Sequence, residues 1–232
     1  MARPVPHSSS GNAFIYVLLA VILLGGLTYV LSKNSDNNPG SELDAAGAQA
    51  AATSILAYAS QAQSAVEGMM ASGVDAGSID FTMPSDAAFN TGDTTKKLFH
   101  PDGGGLQLKT LPRNAIGRVV NSPVNSYYAG RYNNFEWTPT PAQDVIFSAY
   151  GISLAVCQQL QLKVAGTTNI PGTATGLPKA YFVDGVISGT TNADFSAAIC
   201  SNCNGQPASC VRNGAISSTS TLYTFYSILV AR

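Results

Sequence analysis

The chain has 232 residues, enough for one ordinary globular domain plus an anchor or for two small domains, which excludes a large multidomain enzyme. Its formal net charge of −1 gives no general attraction to nucleic acid or to an anionic membrane surface, so nucleic acid is not an expected partner. Charged residues make up only 11% of the chain and hydrophobic residues 45%, which is typical of an exported, loop-rich protein that can still bury a core.

Close to the N-terminus lies an unbroken apolar run, residues 13–31 (AFIYVLLAVILLGGLTYVL), which contains no charged residue. A helix of this length, rising 1.5 Å per residue, covers roughly 28 Å, which matches the core of a bilayer. The sequence therefore predicts a transmembrane helix over 12–33 and a cytoplasmic leader over 1–11, because the small charge bias favours a cytoplasmic N-terminus. Gly25 and Gly26 would let another helix approach closely within lipid.

A cleaved secretory signal is the competing interpretation of this segment. The apolar run is longer than the 7–15 residues usual in signal peptides, which favours a retained anchor. The anchor would place the rest of the chain in an oxidising compartment.

Residues 34–40 (NSDNNPG) are polar and end in Pro-Gly, so they predict a hinge. After the hinge, Ser41 to Asp44 resemble a capping box and predict an Ala-rich amphipathic helix over about 41–71. We expect this helix to lie across a sheet and form the core; a surface for a partner helix is the alternative. The residues expected on its apolar face are Leu43, Ala46, Ala50, Ile55, Ala59, Ala62, Val66 and Met69 or Met70.

Beyond Gly73, turn residues divide the chain into short runs that are rich in β-branched and aromatic residues and favour strands. The densest run extends from Leu222 to the C-terminus and predicts the strongest strand. Residues 180–187 resemble two strand ends around an Asp184-Gly185 turn. Further strands are expected at 116–120, 126–128, 134–137 and 145–150.

Ser153 is a candidate N-cap for a short helix over 154–162. One continuous helix from Pro141 is the alternative. Gly151 favours a strand followed by a helix.

The four cysteines are Cys157, Cys200, Cys203 and Cys210. Four thiolates can bind zinc, but the even count, the loop composition around 200–210 and the expected compartment favour two disulfides. A bond between Cys200 and Cys203 would close a loop of only a few residues and so would constrain the chain very little. We therefore expect Cys157 to pair with one of these two and Cys210 with the other.

Motifs for catalysis and for cofactor binding are absent from the sequence. His100, with Asp102 two residues later, has no G-x-S-x-G nucleophile to serve, so a loop histidine is the better interpretation. The Gly103-Gly104-Gly105 run could cradle an anion through its N–H groups, but it lacks the Lys-Ser/Thr ending of a P-loop, and a turn accounts for it. We therefore expect no catalytic residues, no metal and no cofactor.

Charge is distributed unevenly along the chain. Residues 41–95 hold seven acidic residues and no Lys or Arg, whereas 96–131 hold six basic residues, among them Arg113 and Arg118, and one acidic residue. The two blocks would neutralise one another within a monomer or, alternatively, join an acidic face of one subunit to a basic face of the next.

The order of features along the chain resembles that of a type IV pilin or pseudopilin. These features are the leader, Gly11, the apolar helix, the Ala-rich helix, the short strands, the C-terminal cysteines and the aromatic final strand. The resemblance is architectural and covers most of the chain. It implies that a prepilin peptidase cuts between Gly11 and Asn12. The family usually has Phe first and Glu fifth after the cut, where this chain has Asn12 and Tyr16; some minor pseudopilins at filament tips also lack the Glu.

The resemblance implies an α+β fold: an N-terminal transmembrane helix, an amphipathic helix packed on an antiparallel β-sheet, and a disulfide-containing C-terminal region, with residues 41–232 as the head domain. It further implies a structural subunit of a type IV pilus or type II secretion-like filament, not an enzyme. The subunit would reside in the bacterial inner membrane with its head in the periplasm, and at the cell surface once assembled. Its partners would be like subunits or other pilins, the prepilin peptidase and the assembly platform.

A second hypothesis is a single-pass membrane-anchored periplasmic binding or interaction module that does not polymerise. The polar tether at 34–40 and the absence of the Glu favour it.

Overall fold

A computed structural model describes residues 39–118, 123–174, 177–188, 191–213 and 221–232. The predicted leader, the transmembrane segment 12–33, Gly11, Asn12, Gly25 and Gly26 lie outside these ranges. Within them, no helix combines the length and the apolar character needed to cross a membrane. The packing described below is that of the unit Gly47–Arg232.

The first helix, α1, runs from Pro39 to Ala71, and its many alanines favour the helical state. The predicted helix is confirmed, but it begins two residues earlier than expected, so Pro39 and Gly40 belong to its first turn and not to the hinge. Proline is tolerated there because the first N–H groups of a helix have no partner inside it.

One face of α1 is buried, although not wholly the predicted one. Ala46 and Ala50, expected to face the core, are exposed, because alanines on every side of the helix blur its apolar stripe. The buried positions are Ala48, Ala51, Ala52, Ile55, Tyr58, Ala59, Ala62, Val66 and Met69.

Four strands form one antiparallel sheet in the order β1-β2-β4-β3. The strands are β1 (Ser126–Asn133), β2 (Asp144–Ile152), β3 (Ala208–Arg212) and β4 (Tyr223–Val230). All nine residues of β2 are buried. Since successive side chains of a strand point to opposite faces, both faces of the sheet are covered.

On one face lie α1 and α2 (Leu154–Ala165), which pack against a core that includes Phe147 and Phe225. The ring of Tyr58 on α1 lies with its centroid 4.7 Å from that of Tyr127 and 5.6 Å from that of Phe147. The expected amphipathic helix on an antiparallel sheet is therefore present.

On the opposite face lies α3 (Pro178–Phe182), over a second, aromatic core, and α4 (Asp184–Ser188) follows it and contacts β1. The rings of Phe182 and Tyr226 stack there with centroids 5.2 Å apart. Phe135 and Phe195 complete this cluster with edge-on contacts at 5.3 Å.

The strand predictions at 126–128, at 145–150 and from Leu222 are confirmed. Residues 134–137, predicted as a strand, form a turn with one isolated β-bridge at Phe135. Residues 116–118 form an irregular segment with one isolated β-bridge at Ile116, and residues 119–120 lie outside the described ranges. The prediction of a hairpin at 180–187 is wrong, because this segment is helical: Pro178 starts α3, and Asp184 starts α4. The strand β3 was not predicted.

The predicted change from strand to helix at Gly151 is confirmed. Gly151 has φ +75°, and a Cβ at this position would lie 2.0 Å from Nδ2 of Asn125. After it, the Oγ of Ser153 accepts a hydrogen bond from the N–H of Val156 at 3.3 Å, which caps α2 as expected.

Two disulfides are present, but the expected pairing was wrong: Cys157 bonds Cys210, and Cys200 bonds Cys203. The sheet separates the two pairs, because Cys157 and Cys210 lie in the core under α1 whereas Cys200 and Cys203 lie in the aromatic core on the other face. A 3₁₀ turn at Ser201–Cys203 brings the Cα atoms of the second pair within 5.2 Å. All four sulfurs are bonded in this way, so none is a thiolate available for zinc.

We expect the two disulfides to contribute unequally to stability. Cys157–Cys210 closes a separation of 53 residues and Cys200–Cys203 one of 3, so loop-closure entropy predicts losses of roughly 4 and 2 kcal/mol when each pair is replaced by alanines. Both pairs are fully buried, so the cost of truncating the side chains is similar. Urea denaturation of the two double variants measures the difference; equal losses would contradict this account.

Candidate functional site

A connecting segment, residues 72–118, links α1 to the sheet with only short 3₁₀ turns as regular structure. Lys97 holds this segment together from within, since it is only 3% exposed. Its Nζ donates to the carbonyl oxygens of Ala88, Phe89 and Thr91, each within 3.0 Å. The three N–H donors of the ammonium thus have three carbonyl acceptors. The hydrogen-bonding capacity of this buried group is satisfied without a carboxylate.

The glycine run at 103–105 closes the same segment and binds no anion through its N–H groups. Gly103 and Gly105 donate to the carbonyl of His100, and Gly104 donates to that of Lys97, at 2.9–3.0 Å. A Cβ on Gly104 would lie 2.5 Å from the carbonyl oxygen of Leu98, so a larger residue does not fit. The turn interpretation of these glycines is supported.

His100 lies in this turn as a structural residue. Its Nδ1 accepts a hydrogen bond from the N–H of Asp102 at 3.2 Å, and its ring centroid lies 5.0 Å from that of Phe89. These contacts fix the ring within the connecting segment.

An open groove of about 480 Å³ lies between α1, the connecting segment, β1 and α4. Its lining is mixed, with polar and apolar surface in similar amounts, and Met83, Leu106, Leu108 and Val186 supply the larger aliphatic side chains. Six aromatic residues supply most of the remaining wall: Tyr58, Phe81, Phe99, Tyr127, Tyr128 and Phe147.

Among the described residues that line the groove, two carry a charge, and both are acidic: Asp80 and Asp86. One oxygen of Asp80 accepts hydrogen bonds from the N–H and the Oγ1 of Thr82, at 2.8 and 2.6 Å, which orients the carboxylate. Arg131 lines a smaller neighbouring cavity that also borders Asp80. Asp86 is exposed.

The tyrosines of the groove are neutral phenols over a wide pH range. Burial raises the pKa of Tyr127 and of Tyr128 to about 12, and neighbouring tyrosines add to the effect. Burial also raises the pKa of Tyr58, whose hydroxyl donates to the carbonyl of Gln107 at 2.9 Å. The Nζ of Lys109 lies 5.2 Å from the centroid of the Tyr58 ring, in the range of a cation–π contact.

The acidic and basic blocks of the sequence meet at the surface in one ion pair found among the described residues, between Lys96 and Asp93 at 3.0 Å. Both side chains are about half exposed, so this pair contributes little to stability. Lys109, Arg113 and Arg118 are exposed. Neutralisation within a monomer is therefore only local in this part of the chain.

Of the residues singled out in the sequence, the structure brings Cys157 to Cys210 and Cys200 to Cys203, and it keeps His100 and the glycines in one turn. Sequence reasoning missed the groove, since its lining comes from positions as distant as Tyr58 and Val186. The available signal was the clustering of Phe81, Met83 and Asp86 in a segment without periodicity. No group of three potential metal ligands occurs among the residues described.

Comparisons with protein-family models, with curated proteins and with solved structures find no match for this chain.

We expect Gly104→Ala to destabilise the fold by about 1–3 kcal/mol, because the new methyl group meets the backbone carbonyl of Leu98. Gly68→Ala is the matched control: Gly68 is exposed on α1 with nothing within 4 Å of a Cβ, and the change should stabilise by about 0.5–1 kcal/mol. Thermal or urea unfolding measures both; a neutral Gly104→Ala would contradict the close packing.

Stability should fall as the pH rises from 10 towards 12. Tyrosines of ordinary pKa 10 ionise in the unfolded chain, whereas Tyr127 and Tyr128 keep their protons in the folded chain up to about pH 12. The folded state then holds more protons than the unfolded state, so each group's contribution is complete below pH 10 and is lost above it.

Tyr127→Phe removes one of these titrations. It should reduce the loss of unfolding free energy between pH 9 and 12 by roughly 1–3 kcal/mol, as measured by urea denaturation at several pH values. The same pH dependence in the variant and in the parent chain would contradict the assignment.

Proposed function

We propose that the chain is a pilin-like structural subunit, anchored by residues 12–33 and assembled into a type IV pilus or type II secretion-like filament. The observation that carries the proposal is the arrangement of α1, which begins soon after the apolar run and lays one face along an antiparallel sheet. In such a subunit, the apolar helices bundle in the interior of the filament and the heads cover its outside. The role is therefore assembly, with no catalytic step.

Two further features of the head support this proposal. The helix α1 has 33 residues, and in the unit Gly47–Arg232 its buried face packs on the sheet from Ala48 to Met69. The disulfide from Cys157 to Cys210 joins α2 to β3 beneath the same face, which reinforces the head against unfolding outside the cell.

The N-terminal sequence supplies the remaining support. Gly11 stands before the apolar run at the position where a prepilin peptidase would cut, and Gly25-Gly26 offers a site of close helix approach in lipid. Tyr16 stands where most family members have Glu, which favours a minor subunit over the main building block.

The test is the intact mass of the membrane-extracted protein from native cells and from cells that lack the prepilin peptidase. We expect residues 1–11 to be removed only where the peptidase is present. Gly11→Leu should abolish the cut, and Ser10→Leu is the control that leaves the glycine in place.

An uncut chain in both strains would contradict the processed-subunit proposal. It would favour the anchored periplasmic module that does not polymerise, with the groove beside β1 as its place of binding.

A further inference from the structure

We propose that the groove between α1, the connecting segment and β1 binds a small organic cation that joins a positively charged group to an apolar body. The proposal goes beyond filament assembly, because it assigns a ligand to the head itself. Three properties of the groove carry it: its volume, its aromatic walls and the sign of its charges.

The volume suits a small ligand. At about 480 Å³ the groove falls within the range of pockets that enclose small molecules, roughly 300–1,000 Å³. Tyr127, Tyr128 and Ala129 line it in succession, and β1 is an edge strand, so the groove lies where the sheet ends and is open to solvent.

The aromatic walls favour a cation over a neutral ligand. The face of an aromatic ring carries negative potential and attracts an ammonium or guanidinium group within about 6 Å. Tyr58, Tyr127 and Phe147 form a continuous cluster here, with centroids 4.7–5.6 Å apart. Phe81 and Tyr128 are only half-buried, so the aromatic surface that a ligand can reach comes mainly from these two rings.

The charges of the lining point to the same ligand. Asp80 and Asp86 are acidic, and no Lys, Arg or His lines the groove within the described residues. Arg131 lines the neighbouring cavity that borders Asp80, but its guanidinium makes no ion pair with Asp80 within 4.0 Å. Arg131 therefore does not neutralise this carboxylate through a direct contact. An anionic ligand would meet two carboxylates and, among the described lining residues, no basic side chain.

Isothermal titration calorimetry of the purified full chain in a nonionic detergent tests the proposal, with benzyltrimethylammonium as the probe. Its neutral isostere neopentylbenzene and the anion benzenesulfonate are the comparison ligands, and titration into detergent alone is the blank. We expect the cation to bind at least about tenfold more tightly than either comparison ligand.

Variants locate the binding. Asp86→Asn should weaken the binding of the cation about two- to fivefold, and Asp80→Asn/Asp86→Asn about tenfold, whereas Asp44→Asn, an exposed carboxylate outside the groove, should leave it unchanged. Leu108 is 46% exposed and lines the groove, so the fold should tolerate Leu108→Arg, which places a competing guanidinium there. This variant should lose binding, and Leu108→Met should retain it.

Equal binding of the cation and its neutral isostere would overturn the proposal, as would undiminished binding by the Asp80→Asn/Asp86→Asn variant or no binding of any probe. These outcomes do not depend on whether residues 1–11 are removed, so failure here is distinguishable from failure of the filament proposal.

Discussion

The central constraint on this fold is that β2 is buried along its whole length. Both of its edges are paired, with β1 and β4, and both of its faces are covered, so apolar side chains must be supplied from two directions. On one side α1 and α2 meet Phe147, and on the other α3 and its neighbours meet Tyr150. Removing either layer would expose half of the residues of β2 to water, which makes the two layers interdependent.

The sheet also acts as a partition that determines which distant residues can meet. Cys157 and Cys210 share one side, and Cys200 and Cys203 share the other, so a bond across the sheet is sterically excluded. The groove lies at the edge of β1, where this partition ends. It therefore draws on both sides, with Tyr127 in the core under α1 and Tyr128 packed against the aromatic core.

Local signals were sufficient for elements whose residues determine their own conformation. Ser153 caps α2, β2 gives way to α2 just after Gly151, and the aromatic run after Leu222 forms β4, as expected from sequence alone. The failures have tertiary causes: residues 180–187 have strand-like composition, yet Pro178 starts a helix whose Phe182 stacks on Tyr226, and Asp184 starts a second helix that contacts β1. The strand β3 has a short, mixed sequence and forms because it pairs with β4. The groove was unpredictable because it joins segments far apart in the chain.

The three hydrogen bonds from the Lys97 ammonium to backbone carbonyls lower the conformational entropy of the connecting segment that lines the groove. Segments without regular structure usually retain many conformations, and a ligand that orders them loses affinity as a result. Here the ammonium fixes residues 88–91 against the rest of the segment, and the glycine turn closes behind it. The conformational freedom of this wall is thus given up when the chain folds, so a molecule that docks against Phe81 and Phe99 meets a surface already in place.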